Sequence, residues 1–145
     1  AFLTRGQFVV MLMKTCSITP ESNIGDNFSD AGSTYYTEYL AMAKKLGIIE
    51  GIGNNNFAPE SKVSRQDMFT MLYRTLDKMD ILPADTSGTT ISDFRDQGHV
   101  AVYAQEGMNV LISSGIVSGD NGKLNPLNNC TRAEMAQVLK NLLSK

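Results

Sequence analysis

The stretch "CTRAEMAQVL" (130–139) decides how the rest of the chain reads. Alone it is a helix start: a threonine, an acid three residues on, and an apolar stripe behind. Near copies stand at 63–72, "VSRQDMFTML", and at 2–12, "FLTRGQFVVML". Aligned on Thr4, Ser64 and Thr131, the copies are offset by 60 and 67 residues. Each cap is followed three residues later by Gln7, Asp67 or Glu134. That is the capping-box pattern, in which the two side chains satisfy each other's backbone amides. Leu3, Val63 and Cys130 before the caps, with Phe8, Met68 and Met135 four residues after them, fit a hydrophobic staple. Further on, Met11, Met71 and Val138, then Leu12, Leu72 and Leu139, then Cys16, Leu76 and Leu143 continue one apolar helix face, written three times.

The repeat extends upstream. Pro59 and Pro126 lie five residues before their caps, and Phe57 and Leu124 seven before. "LGIIEG" (46–51) matches "SGIVSG" (114–119), and "FSDAGSTYYTEYLAMAKK" (28–45) matches "FRDQGHVAVYAQEGMNVLIS" (94–113). A full unit therefore reads first helix, Gly-rich turn, short extended stretch, second helix. The first helix is expected to stop at Gly47 or Gly115, where positive φ closes it and Ile48 or Ile116 folds back. A short strand through Phe57 or Leu124 is weakly signalled. Asp30 and Asp96, each two residues after the same aromatic, are expected to cap the first helices. The longer second spacing falls mainly in "DKMDILPADTSGTTIS" (77–92), a linker by its Pro, Gly, Ser and Thr.

The expected organisation is one domain over 1–145: the second half of a first repeat at 1–19, a second repeat at 28–79, the 77–92 linker loop, and a third repeat at 94–145. By this alignment the first half of the first repeat would lie before Ala1. Three equivalent helices with one apolar face each predict an all-α fold. Its expected form is a central three-helix core with rough threefold pseudosymmetry and Gly/Pro-rich loops between helices.

Composition narrows the function. With 145 residues, 42% hydrophobic and 19% charged, the chain suits a folded globular domain. A formal charge of −2 gives no general field for nucleic acid. No apolar run approaches the roughly 18–20 residues needed to insert across a membrane. Cys16 and Cys130 lack metal-ligand spacing and fall at core positions, where small buried thiols are expected. His99 is the single histidine, and no G-x-S-x-G elbow accompanies it, so a hydrolytic triad has little support. "DNGKLN" (120–125) is reminiscent of a calcium loop, but Thr131 stands where the bidentate Glu belongs. These readings point to a binding module without catalytic residue, metal or cofactor.

The caps leave one residue type unexplained. Arg5, Arg65 and Arg132 each occupy the first helical position, where a cation faces the positive end of the helix. Either each pairs with an acid of a neighbouring repeat, or guanidinium and free amides converge on an external anion.

The ordered set F-x-D, [YW]-x-x-A, G-I-[IV]-x-G, [FL]-x-P and [ST]-R-x-[EQD] is similar to the S-layer homology domain of bacterial surface proteins. Here it is carried by "FSD" with Tyr36, "GIIEG", "FAP" and "SRQD", and again by "FRD" with Tyr103, "GIVSG", "LNP" and "TRAE". The resemblance implies non-covalent anchoring, outside the cell, of a surface protein to secondary cell-wall polysaccharide linked to peptidoglycan. Such polymers often bear pyruvate ketals, which place a fixed carboxylate on a sugar ring. On this reading Arg5, Arg65 and Arg132 meet the carboxylate, Tyr36 and Tyr103 pack on the ring, and Gly51 and Gly119 leave the backbone approachable. The sites would lie in grooves between neighbouring repeats. Gln7 and Asp67 depart from the usual acid, and the residues before Tyr36 and Tyr103 differ, so unequal sites are expected. The competing reading is an all-α protein–protein interaction repeat that binds no glycan.

Overall fold

A computed structural model describes residues 1–144; Lys145, the last residue of the expected third repeat, lies outside the described residues. Five α-helices form: α1 (Arg5–Thr15), α2 (Thr37–Leu46), α3 (Arg65–Lys78), α4 (Val102–Ser113) and α5 (Arg132–Leu143). Two 3-10 turns, Ile91–Asp93 and Gln97–His99, precede α4. The fold is all-α.

The caps behave as their residues require. At α1 both arms of the box close, with Gln7 N–H donating to Thr4 Oγ1 at 3.1 Å and Thr4 N–H to Gln7 Oε1 at 3.0 Å. Ser64 and Thr131 likewise accept from the amides of Asp67 and Glu134. Helix α2 ends at Gly47, φ 76°, and Ile48 N–H reaches back to the Ala43 carbonyl at 3.0 Å. Gly115 takes the same left-handed conformation after α4. Ile48 and Ile116 are buried behind these turns.

The chain divides into two compact units, one Leu3–Val63 and the other running from Ser64 onward together with Ala1–Phe2. The division falls inside the sequence repeat. Within the first unit α1 packs on α2, and within the second α3 packs on α4. Each unit therefore joins the second helix of one repeat to the first helix and loop of the next. In the first, Leu3, Phe8, Leu12, Leu40, Ile48 and Phe57 are buried; in the second, Met68, Phe69, Leu72, Met108, Ile116 and Leu124. Each such side chain contributes on the order of 2 kcal/mol when removed from water.

Two local expectations are corrected. No strand runs through Phe57 or Leu124 among the described residues. Instead Gly53 pairs with Asn56, and Asp120 with Lys123, as isolated bridges. Left-handed Asn54, Asn55 and Asn121 turn the chain too tightly for a ladder. Nor do Asp30 and Asp96 cap the first helices. Asp30 accepts from the amides of Phe57 and Ala58 at 2.9 and 2.8 Å, and Asp96 from those of Leu124 and Asn125 at 2.8 and 2.9 Å. Each carboxylate latches the Gly-rich loop of its own repeat, giving two charge-assisted bonds where a cap would give one or two.

Candidate functional site

The three arginines follow two patterns. In the first unit the Arg5 amide donates to the Ser61 carbonyl and the Gly6 amide to that of Pro59, both at 2.8 Å. Arg5 Nε donates to the Phe57 carbonyl at 2.8 Å, and its guanidinium lies 4.4 Å from the Phe57 ring centroid. The Phe57 ring in turn stacks on Phe28, 5.3 Å between centroids. Only 8% of Arg5 is exposed. The second unit repeats the frame. The amides of Arg65 and Gln66 donate to Asn128 and Pro126 carbonyls at 2.8 and 2.9 Å, and Arg65 Nε to the Leu124 carbonyl at 2.9 Å. Arg65 Nη1 also pairs with Glu134 Oε2 at 2.6 Å.

The first two amides of α1 and α3, expected to be open to an anion, thus receive loop carbonyls. The carbonyl groups bring the negative ends of their dipoles to the positive end of the helix. They also offset the penalty of a cation at the first helical position, so the arginine clasps the loop onto the helix it begins. Arg132 differs. Its amide donates to the Ala1 carbonyl at 3.0 Å, but its side chain is exposed and makes no hydrogen bond or ion pair among the described residues.

The tyrosines are not equivalent. Tyr36 is 5% exposed, its ring lying over Gly6, where a Cβ would come within 2.9 Å of it. Its hydroxyl donates to Glu60 Oε1 at 2.6 Å. That bond and then burial raise its pKa above the usual tyrosine value. Tyr103 is 56% exposed and donates to Asp67 Oδ1 at 2.5 Å. Counting back from the helix-closing glycines resolves the register. Twelve residues before Gly47 and Gly115 stand Tyr35 and Tyr103, both exposed; eleven before stand Tyr36 and Ala104, both buried. Tyr35, at 62% exposure, is therefore the counterpart of Tyr103, and the spacing from the glycine is the signal that finds it.

Gly51 and Gly119 face inward contacts. A Cβ on Gly51 would come within 2.5 Å of the Asn56 carbonyl oxygen and 3.2 Å of the Phe28 ring. On Gly119 it would overlap the Phe94 ring and stand 2.8 Å from the Lys123 carbonyl oxygen. The predicted site residues are thus gathered into two loop-and-helix assemblies. In the second, Arg65 and Tyr103 take separate acids, Glu134 and Asp67.

Around Asp96, burial works to raise the pKa. The amide bonds from Leu124 and Asn125, with nearby His99, outweigh it and hold the carboxyl below the ordinary aspartate value. A groove of about 410 Å³ opens beside this latch, between Arg95–His99 and Lys123–Asn128. Cys130, buried against Met68 Sδ at 3.3 Å, has its thiol pushed up to about 12 by burial and the Glu134 charge. No group of three His, Cys, Asp or Glu side chains suited to a metal occurs among the described residues. Nor is any helix there long and apolar enough to cross a membrane.

An all-α module built from repeated capped helices and latched Gly-rich loops is the class this geometry defines. The family model of the S-layer homology domain matches residues 27–69 and 93–136, more than half of the chain. The chain belongs to the S-layer homology domain family. It is 31% identical over 141 residues to an S-layer protein of Bacillus licheniformis, covering 94% of this chain and 15% of that protein. It is 30% identical over 137 residues to S-layer protein EA1 of Bacillus anthracis, at 94% and 15% coverage. An amylopullulanase of Thermoanaerobacterium thermosulfurigenes shares 31% identity over 145 residues, 99% of this chain and 8% of the enzyme. The chain thus spans a small part of each of these relatives.

Proposed function

We propose that this domain holds a parent protein non-covalently at the bacterial cell surface by binding secondary cell-wall polysaccharide, and performs no catalysis itself. The observation that carries this reading is the company the module keeps. Proteins named as S-layer proteins and as an amylopullulanase share this segment, which is 15% or less of their length. A module common to such different proteins serves something they have in common, and attachment to the cell wall fits both.

The finer reading is that the polymer is anionic, bearing ketal-linked pyruvate. Arg132, exposed at the start of α5, is the arginine best placed to receive that carboxylate. The exposed rings of Tyr35 and Tyr103 offer apolar faces to a sugar. Arg5 and Arg65, with Tyr36, Gly51 and Gly119, serve by fixing the loops that flank the inter-repeat grooves. Several weak sites on one polymer strengthen retention through effective concentration. The test is cosedimentation of the domain with purified walls before and after removal of ketal-linked pyruvate. Retention on intact walls that disappears on stripping supports both statements. Retention unchanged by stripping overturns the carboxylate, and no retention on intact walls overturns the anchoring.

A further inference from the structure

The two Gly-rich loops share one backbone plan but opposite charge. In both, an aspartate after the aromatic latches the loop through two amides. Aligned on Phe28 and Phe94, Arg95 and His99 stand where the earlier repeat has Ser29 and Ser33. Aligned on the prolines, Lys123 replaces Asn56 and Leu127 replaces Glu60. The formal charge at these positions passes from −2 (Asp30, Glu60) to +1 (Arg95 and Lys123 against Asp96).

These substituted residues line the groove of about 410 Å³ beside the Asp96 latch. Arg95 is held by its own loop, Nη2 donating to the Asn121 carbonyl at 2.6 Å and its amide to that of Gly122 at 3.1 Å. Both Asp96 oxygens are engaged by loop amides. Among the described residues neither Arg95 nor Lys123 forms an ion pair. The groove therefore presents two uncompensated cations on a braced loop, with Leu127 68% exposed at its side. That combination suits an anionic group carried on a sugar ring. The cations and their remaining N–H donors meet the acid, and the leucine meets the ring's C–H face.

We propose that the groove between Arg95–His99 and Lys123–Asn128 is a subsite for an acidic saccharide, absent from the matching loop at Ser29–Ser33 and Asn56–Ser61. It deepens the anchoring reading and rests on it for the saccharide nature of the ligand. A ketal-linked carboxylate and a phosphate ester offer the same charge and acceptor oxygens, so the test separates them.

The experiment is an amide chemical-shift titration of the isotope-labelled whole chain with three probes. These are a pyruvate-ketal methyl glycoside, a hexose 6-phosphate and a neutral methyl glycoside. The expected result is saturable shifts at Leu124, Asn125 and Asn128 with at least one anionic probe, and none with the neutral one. The better anionic probe identifies the source of the charge. Arg95→Ser with Lys123→Asn, both at exposed positions, should weaken the response at least tenfold while leaving spectra outside the loop unchanged. Ser29→Arg with Asn56→Lys should create a response at Phe57 and Ala58. Silence to both anions, equal response to the neutral glycoside, or an undiminished response in the Arg95/Lys123 variant overturns the subsite. Wall cosedimentation in parallel separates the two ideas: retention with a silent groove refutes the subsite alone, and a responsive groove without retention refutes the anchoring alone.

Discussion

The unit Leu3–Val63 and the unit from Ser64 onward carry the same scaffold: an arginine clasp, an aspartate latch and a glycine-closed helix. They differ in what is left at the surface. In the first, Arg5 is covered by the Phe57 ring and Glu60 is occupied by Tyr36. In the second, Tyr103 stands exposed, and Arg95, His99 and Lys123 surround an open groove. The comparison teaches that the repeat conserves its loop-to-helix fastening while its surface chemistry varies, so recognition should be unequal between the halves.

The fastening can be broken most severely at its ring. Phe57→Ala removes a fully buried aromatic beneath Arg5 and beside Phe28, and should cost about 3–5 kcal/mol in urea denaturation. A loss under about 1 kcal/mol would show that the ring does not anchor the clasp. Arg65→Ala should cost less, about 1–3 kcal/mol, since it leaves the Leu124 carbonyl unpaired and Glu134 without its cation. No measurable loss would place Arg65 with Arg132 as a surface residue. The Asp96 latch is a smaller, pH-dependent effect. Its folded pKa is lowered, so its contribution is present above the ordinary aspartate value of 3.8 and is lost as pH falls through that value and below. Asp96→Asn should therefore be less stable than the parent at neutral pH and lose less further stability on acidification. Two parallel acid-unfolding curves would contradict this. Last, Cys130 should resist thiol reagents at mildly alkaline pH until the protein unfolds, while half-exposed Cys16 reacts in the folded state. Prompt labelling of both would show that the Met68–Cys130 contact opens readily.

Much of the local structure was legible because it depends on neighbours in sequence. A Ser or Thr with Gln, Asp or Glu three residues on declares a helix start, and Gly47 and Gly115 declare helix ends. Threefold recurrence of the apolar stripe identified the faces. What escaped depends on residues far apart. Asp30 could have capped a helix nearby, yet it binds amides 27 and 28 residues away, and aspartate serves both roles equally well. The guanidinium of Arg5 reaches a carbonyl 52 residues on, and that of Arg65 one 59 residues on. A carbonyl is present at every position, so no residue type signals such a partner. Tyr36 and Tyr103 were paired by distance from the aromatic. The loops before α2 and α4 differ in length, and only the closing glycine keeps the register.

Arg132→Ala offers the most direct test of the division between fastening and recognition. Its stability in urea and its retention on purified cell walls would be measured side by side with the parent chain. The account predicts stability within about 0.5 kcal/mol of the parent, as expected for an exposed side chain, together with clearly reduced retention. Undiminished retention, or a stability loss as large as that of Arg65→Ala, would contradict it.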